Sequence, residues 1–234
     1  MAAGGHIVAM GGGGFGSGNP TLDRYALSLV DAARPRVCFI PTASGDDAAY
    51  SLQFYQAYVS YGCEPHVLNL FLRDVDDIRS YLLGMDLIYV GGGSTANLLA
   101  VWRLHGVDRV LEEAWRSGVV LSGLSAGANC WFEASTTDSF LVGKADALTA
   151  GMGLLAGSFC PHYTSEPERR PSYLSMVGSG RLPDGYACED GVAVHFIGTE
   201  FHTAISVDGD AKAYRVTRAP EGAHEEPLEL VTPS

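Results

Sequence analysis

The stretch that decides the fold is Val119-Val120-Leu121-Ser122-Gly123-Leu124-Ser125-Ala126-Gly127-Ala128-Asn129. Its first four residues form a short, mostly apolar run that is typical of a buried strand. The small side chains of Gly123–Gly127 suit a sharp turn, where bulky neighbours would clash. The residues from Ala128 onward can begin a helix. The stretch therefore predicts a strand, a tight turn and a helix in direct succession.

The same alternation of strand and helix extends through the first half of the chain. Short apolar runs bounded by Gly, Pro, Ser or Asn predict buried parallel strands at His6–Met10, Arg36–Ile40, His66–Leu70, Leu87–Val90 and Val119–Ser122. Helix-like segments separate them, at about Leu22–Ala33, Asp47–Tyr61, Val75–Leu83, Ala96–Leu104 and Asp108–Ser117. Right-handed crossovers between such strands give an α/β fold, a three-layer sandwich with a mostly parallel central sheet.

The C-terminal third has a different pattern, because its apolar runs are separated only by turn residues. These runs predict antiparallel strands that extend the sheet, at Gly185–Cys188, Gly191–Ile197, Glu200–Val207 and Ala211–Val216. The tail over residues 218–234 is rich in Glu and Pro and fits either an edge strand or a loose end. The chain of 234 residues has no repeat and no linker, which predicts a single domain over residues 1–234.

Composition excludes several classes of protein. A content of 47% hydrophobic and 18% charged residues indicates a globular chain, and a net charge of −12 argues against a nucleic-acid partner. No apolar run approaches the roughly eighteen residues that a membrane span needs, and Met1–His6 lacks the basic start of a secretory signal. The five cysteines are never spaced as C-x-x-C, so we expect a reducing cytoplasm rather than disulfides or structural zinc.

Glycines are concentrated after three of the predicted strands, at Gly11–Gly14, Gly91–Gly93 and Gly123–Gly127. The carboxyl ends of parallel strands meet at one edge of a sheet, and glycine lets backbone N–H groups approach a ligand closely. Three such turns on one edge favour a binding site over simple tight turns. Gly11–Gly16 also fits G-x-G-x-x-G, but that motif alone is weak evidence for a dinucleotide, and we expect no cofactor.

Gly123–Gly127 fits G-x-S-x-G in the strand–turn–helix context that a nucleophile elbow requires. This context predicts that Ser125 is a nucleophile, with close packing at a strand end as the alternative interpretation. The N-terminus of the following helix would add a dipole that favours a negatively charged oxygen. The predicted chemistry is that of a serine hydrolase.

A serine nucleophile needs a base, and a base needs an acid that orients it. Among seven histidines we select His162, because it ends the short apolar run before it and follows a proline. The others lie mainly at strand starts, at a helix end or within late strands. The candidate acids downstream of Ser125 are Glu133, Asp138, Glu189 and Asp190. The residues favour Glu189, which follows a predicted strand, and Asp138, which lies in a polar loop. The dispersed histidines and the absence of H-E-x-x-H predict no metal site.

Four motifs together resemble the peptidase E family of serine peptidases, to which aspartyl dipeptidase and, more distantly, cyanophycinase belong. They are Gly91-Gly92-Gly93-Ser94-Thr95, Gly123-Leu124-Ser125-Ala126-Gly127-Ala128-Asn129, Pro161-His162-Tyr163 and Glu189-Asp190-Gly191. The resemblance runs in order from about His6 to Val216. It implies a sandwich similar to that of class I glutamine amidotransferases, with serine in place of their cysteine.

The resemblance also implies roles for individual residues. A Ser-His-Glu triad maps onto Ser125, His162 and Glu189, and the backbone N–H groups of Gly92 and Ala126 match the oxyanion hole. Asp138 is the nearest match to an aspartate in the loop after the nucleophile, at a spacing shorter by two residues, and Ser94 replaces an asparagine. The residues after His162 leave two interpretations of Arg169 and Arg170: one of them pairs with a substrate carboxylate, or both belong to a solvated helix start.

The expected function is hydrolysis of short peptides by a serine peptidase of dipeptidase or aminopeptidase type, through an acyl-enzyme. The expected partner is a small peptide, bound by a monomer or a homodimer. Alternatives are a cyanophycinase-like enzyme, another amidase or esterase, or a non-catalytic relative that binds a small ligand. Whether the enzyme prefers an N-terminal Asp stays open.

Overall fold

The computed structural model describes residues 5–233. Met1–Gly4, on which the expected absence of a secretory signal partly rests, and Ser234, the end of the predicted tail, lie outside the described residues. Within the described part, no helix is long and apolar enough to cross a membrane. The same residues contain no group of three or more His, Cys, Asp or Glu side chains arranged to hold a metal ion.

The first half of the chain alternates strands and helices, as predicted. The strands are β1 His6–Met10, β2 Arg36–Ile40, β3 Glu64–Val67, β4 Leu87–Val90 and β5 Val120–Leu124. The helices are α1 Thr21–Leu27, α2 Ala48–Ser60, α3 Ile78–Leu83, α4 Thr95–His105, α5 Val107–Arg116 and the short α6 Ala126–Asn129. β1, β2 and β4 match the predicted bounds at both ends.

The second half is mostly strand. It contains β6 Phe132–Thr137, β7 Asp146–Leu148, β8 Leu155–Cys160, α7 Arg169–Gly178, β9 Gly185–Cys188, β10 Val192–Ile197, β11 Glu200–Ser206, β12 Ala213–Ala219, β13 Gly222–Pro227 and β14 Leu230–Val231. The tail therefore contains two strands, which decides between the two interpretations of residues 218–234. β6, β7 and β8 were not predicted.

The strands form two sheets. The central sheet has the order β14-β11-β10-β1-β5-β4-β2-β3, parallel from β1 to β3 and antiparallel where β10 joins β1 and β11 joins β10. This arrangement confirms the predicted fold class. The second sheet has the order β13-β12-β9-β8-β6-β7. The expectation that β9 and β12 extend the central sheet is wrong, because the unpredicted β8 pairs with β9 in parallel and β12 then pairs with β9.

The core lies on both faces of the central sheet, since alternate residues of a strand point to opposite faces. Ile7 and Ala9 of β1 join a cluster that includes Trp102 of α4 and Leu111 of α5. The neighbouring residues of β1 join a second cluster on the other face, with Phe54 of α2. Helices thus cover both faces, and this layering leaves the carboxyl ends of β1, β4 and β5 to form the site.

Candidate active site

Ser125 lies between the end of β5 and the start of α6, in a strained backbone conformation. Its φ is 52° and its ψ is −112°. Among the described residues other than glycine, only Asp46, Ser125 and His162 have a positive φ. Such conformations cost on the order of 1–3 kcal/mol each and are concentrated at functional sites. A Cβ at Gly127 would lie 2.2 Å from the Val90 carbonyl oxygen, so the turn needs glycine there.

The backbones of Ser125 and His162 are hydrogen-bonded to two consecutive residues at the end of β1. The Ser125 N–H donates to the Met10 carbonyl at 3.0 Å, and the His162 N–H donates to the Gly11 carbonyl at 3.2 Å. A Cβ at Gly12 would lie 2.9 Å from Cε1 of His162 and 2.1 Å from Oδ1 of Asp190. The glycines after β1 therefore allow the histidine and its partner to lie directly against the backbone beside Ser125.

His162 forms a hydrogen bond with Asp190, from Nδ1 to Oδ1, at 2.6 Å. The histidine side chain is 22% exposed and the aspartate 48% exposed. The hydrogen bond from His162 holds the pKa of Asp190 below its ordinary value, despite partial burial. An ionised carboxylate only accepts hydrogen bonds, so Nδ1 of His162 is the donor in this pair.

Glu189, the predicted partner of His162, faces elsewhere. Its Oε2 accepts from the Lys212 N–H at 2.9 Å, and its own N–H donates to the Lys212 carbonyl at 3.0 Å. β9 ends at Cys188, and the chain turns at Asp190 and Gly191, which places the Asp190 carboxylate against His162. The carboxylate that contacts His162 is that of Asp190, not that of Glu189, and the triad role of Glu189 stays a prediction.

Asp138 and Arg169 form a pair away from His162. The Arg169 guanidinium is 4% exposed and lies 3.3 Å from Oδ1 of Asp138. Arg169 also donates to Oε2 of Glu166 at 2.5 Å and to the Thr136 carbonyl at 3.3 Å. Two carboxylates and a carbonyl thus already occupy this guanidinium. Asp138 is not the histidine's acid in this arrangement.

Arg170 is bound to the C-terminal strand β13. It forms a salt bridge with Glu225, and its guanidinium lies over the rings of Tyr163 and Tyr214 at 5.7 and 5.8 Å. The Tyr163 hydroxyl donates to the same glutamate at 2.6 Å. Glu225 therefore anchors β13 to the segment that follows His162. Both predicted substrate-binding arginines have carboxylate partners within the protein.

The glycine turn after β4 reaches the nucleophile turn. A Cβ at Gly92 would lie 3.6 Å from Cβ of Ser125, so the two predicted neighbours are close in space. Ala126, which is buried, begins α6 directly after Ser125. Ser94 has a local role, because its hydroxyl accepts from the Asn97 N–H at 3.3 Å as the N-cap of α4. The structure thus brings Gly92, Ser125 and Ala126 together and leaves Ser94 as a helix cap.

Two cavities flank this arrangement. One of about 330 Å³ lies beside His162 and Asp190 and is otherwise lined by Gly13, Gly14, Ser17, Asn19, Gly191 and Val207. The other, of about 370 Å³, lies along Asp138 and Arg169 and is completed by Val142, Gly143, Ala145 and residues 165–168. Each is large enough for an amino-acid side chain or a short peptide segment, not for a folded protein.

Two residues that lie at the candidate site were not singled out from the sequence. Asp190 was among the candidate acids, but its position after β9 did not distinguish it from Glu189. Tyr50 was not considered: its hydroxyl lies 3.5 Å from the Gly92 N–H. No local motif marks Tyr50, because it comes from α2, about forty residues earlier in the chain.

Comparison with known proteins identifies the family. The model of peptidase family S51 matches residues 7–204. The protein named "Uncharacterized peptidase YgaJ" of Bacillus subtilis (strain 168) is 47% identical over 224 residues, which are 95% of this chain and 96% of the relative. "Peptidase E" of Streptomyces coelicolor is 26% identical over 191 residues, 80% of this chain and 74% of the relative.

A solved structure agrees in fold. The crystal structure of a peptidase from an acI-B1 Actinobacterium superposes with a TM-score of 0.71 at 20% identity, over 97% of this chain and 95% of that one. At that identity the likeness concerns the fold alone. The family match and the Bacillus relative go further: the chain belongs to peptidase family S51, the peptidase E family, and is a serine-type peptidase.

Proposed function

We propose that this peptidase hydrolyses short peptides with Ser125 as nucleophile, His162 as base and Asp190 as the acid that orients the base. The observation that carries the proposal is the 2.6 Å hydrogen bond between His162 and Asp190, next to the strained turn at Ser125. A base that is itself oriented by a carboxylate is the arrangement that activates a serine hydroxyl.

The reaction begins when Nε2 of His162 accepts the proton of the Ser125 hydroxyl as Oγ attacks the peptide carbonyl. Asp190 stabilises the imidazolium that results, and the N–H groups of Gly92 and Ala126 donate to the tetrahedral oxyanion. Collapse breaks the C–N bond, and His162 gives the proton to the leaving amine. Water, deprotonated by His162, then attacks the acyl ester, and Ser125 regains its proton as the acid leaves.

The proposed substrates of this site are small peptides that need no acidic side chain. Arg169 and Arg170 are paired with Asp138, Glu166 and Glu225, so neither offers a free guanidinium to a substrate carboxylate. We therefore propose a dipeptidase or aminopeptidase activity without a preference for an N-terminal aspartate. The five cysteines are unpaired and buried, which supports a cytoplasmic place of action as part of the proposal.

The test combines a substitution with a covalent reagent. Ser125→Ala is expected to abolish hydrolysis of a panel of Xaa-Leu dipeptides and labelling by a fluorophosphonate, with an unchanged unfolding temperature. Ser60→Ala, which removes an exposed hydroxyl at the end of α2, is the matched control and is expected to keep both. Retained hydrolysis in Ser125→Ala would refute the nucleophile. A clear preference for Asp-Leu over Ala-Leu would refute the substrate class.

A further inference from the structure

Tyr50 places a phenol oxygen next to the proposed oxyanion hole. The Gly92 N–H donates to the Tyr50 hydroxyl oxygen at 3.5 Å. Gly92 in turn lies beside Ser125, since a Cβ on this glycine would be 3.6 Å from the serine Cβ. The phenol therefore meets the very N–H group that is proposed to bind the substrate oxygen.

Aromatic packing fixes the position of the Tyr50 ring. Its centroid lies 5.3 Å from that of Phe15 and 5.0 Å from that of Phe39. The backbone is also held, because the Tyr50 N–H donates to the side chain of Asp47, the N-cap of α2, at 2.6 Å. A Cβ at Gly91 would lie 2.9 Å from Cε1 of Tyr50, so the ring approaches the turn as closely as glycine permits.

The hydroxyl has an unused donor. A phenol both donates and accepts, and the bond from Gly92 uses only an acceptor lone pair of Tyr50. No acceptor for the Tyr50 hydroxyl proton is present among residues 5–233. Burial raises the pKa of Tyr50 to about 12, so the proton stays on the oxygen at neutral pH. The existing bond is longer than the usual 2.7–3.2 Å range of N–H···O bonds and is easily replaced.

We propose that Tyr50 donates a third hydrogen bond to the oxyanion, beside Gly92 and Ala126. The inference rests on the proposed function. As the tetrahedral intermediate forms, the Gly92 N–H leaves the phenol oxygen and donates to the negatively charged substrate oxygen. The Tyr50 hydroxyl then donates to that same oxygen. One weak internal hydrogen bond is thereby exchanged for two charge-assisted ones, which form only as negative charge develops.

The test is Tyr50→Phe, which keeps the ring and its packing and removes only the hydroxyl. Loss of one oxyanion donor lowers kcat by about a hundredfold, and we expect a loss of about tenfold to a hundredfold with KM within twofold of wild type. Tyr55→Phe is the matched control on the same helix, because Tyr55 is exposed and contacts Phe54 rather than the turn. It is expected to leave kcat unchanged.

A second measurement separates a direct role from a structural one. A peptide aldehyde forms a tetrahedral adduct on a serine nucleophile, and its affinity for Tyr50→Phe should fall by the same factor as kcat/KM. Unchanged kcat, a loss confined to KM, or an aldehyde affinity equal to that of wild type overturns the role of Tyr50. If wild-type protein neither hydrolyses peptides nor reacts with a fluorophosphonate at Ser125, the proposed function itself fails, and the two failures remain distinguishable.

Discussion

In space, His162 lies beyond the carboxyl end of β1, His195 lies opposite Val8 in the middle of the strand, and the two histidines have opposite surroundings. His162 is partly exposed and donates to the carboxylate of Asp190. His195 is 2% exposed and has an imidazole and a phenol as its hydrogen-bond partners. Its Nε2 lies 2.9 Å from Nδ1 of His6, and its Nδ1 lies 2.8 Å from the Tyr25 hydroxyl. Both histidines are fully hydrogen-bonded at Nδ1, yet only one is suited to accept a proton.

The difference shows that the partner and the solvent determine the role of a histidine. A carboxylate stabilises the imidazolium, whereas burial beside other histidines destabilises it. Burial, with the charges of His6 and His202, lowers the pKa of His195 to about 4. His195 therefore stays neutral and links β10 to β1 and α1, whereas His162, the proposed base, has a carboxylate partner.

Asp190 and Asp23 also differ in their surroundings, and their pKa values are shifted in opposite directions. Asp190 is held ionised by its hydrogen bond to His162, which lowers its pKa. Asp23 of α1 is fully buried, and burial raises its pKa to about 7. Its Oδ1 accepts only a 3.3 Å bond from the Tyr58 hydroxyl, and its Oδ2 has no partner among the described residues.

The largest expected effect is on kcat and comes from breaking the hydrogen bond between His162 and Asp190. Asp190→Asn keeps the shape but no longer favours the tautomer with the proton on Nδ1, so we expect kcat to fall by about 10³- to 10⁴-fold. Glu189→Gln is the matched control, because Glu189 contacts Lys212 instead of the histidine. Steady-state hydrolysis of one dipeptide measures both. Equal losses in the two variants would reject the assignment of Asp190.

The contrast between Glu189 and Asp190 could not be predicted from the sequence, unlike much of the fold. β1, β2 and β4 were predicted because their buried residues are apolar in sequence as well as in structure. β6 was missed because Ser135, Thr136 and Thr137 are buried although polar, so no apolar run marks the strand. The choice between Glu189 and Asp190 depended on a contact with Lys212, more than twenty residues away, which no local motif encodes.

A smaller effect is expected for His195, in the way that the free energy of unfolding depends on pH. A histidine whose folded pKa lies below its unfolded value contributes stability that is present above about pH 6.5 and is lost as pH falls towards 4. His195→Gln should be less stable than wild type at pH 7, and the gap in free energy of unfolding should narrow by about 2 kcal/mol at pH 4.5. Denaturant unfolding at the two values measures it.

His224 on β13 is exposed and provides the control for that experiment. The unfolding free energy of His224→Gln is measured beside that of His195→Gln at both pH values, so that a loss of imidazole at an exposed position can be subtracted from the effect of the buried one. A gap for His195→Gln that stays constant from pH 7 to pH 4.5 would contradict the account of a histidine held neutral by burial.

The last prediction concerns Asp23, whose contribution to stability changes with pH in the opposite direction. An acid with a raised folded pKa binds more protons in the folded state, so its contribution to stability falls as pH rises from about 4 to about 7. Asp23→Asn removes the ionisation and keeps an acceptor for Tyr58, so it should stabilise the protein by about 3 kcal/mol more at pH 8 than at pH 4. Asp31→Asn, at an exposed position, is the matched control.

Because His195 and Asp23 act in opposite directions between pH 4 and 6.5, their contributions to the free energy of unfolding partly cancel in the wild type. A wild-type stability that does not change with pH would therefore be consistent with both. Only the variants separate them: if the gain from Asp23→Asn is the same at pH 4 and pH 8, the carboxyl is not held protonated by burial.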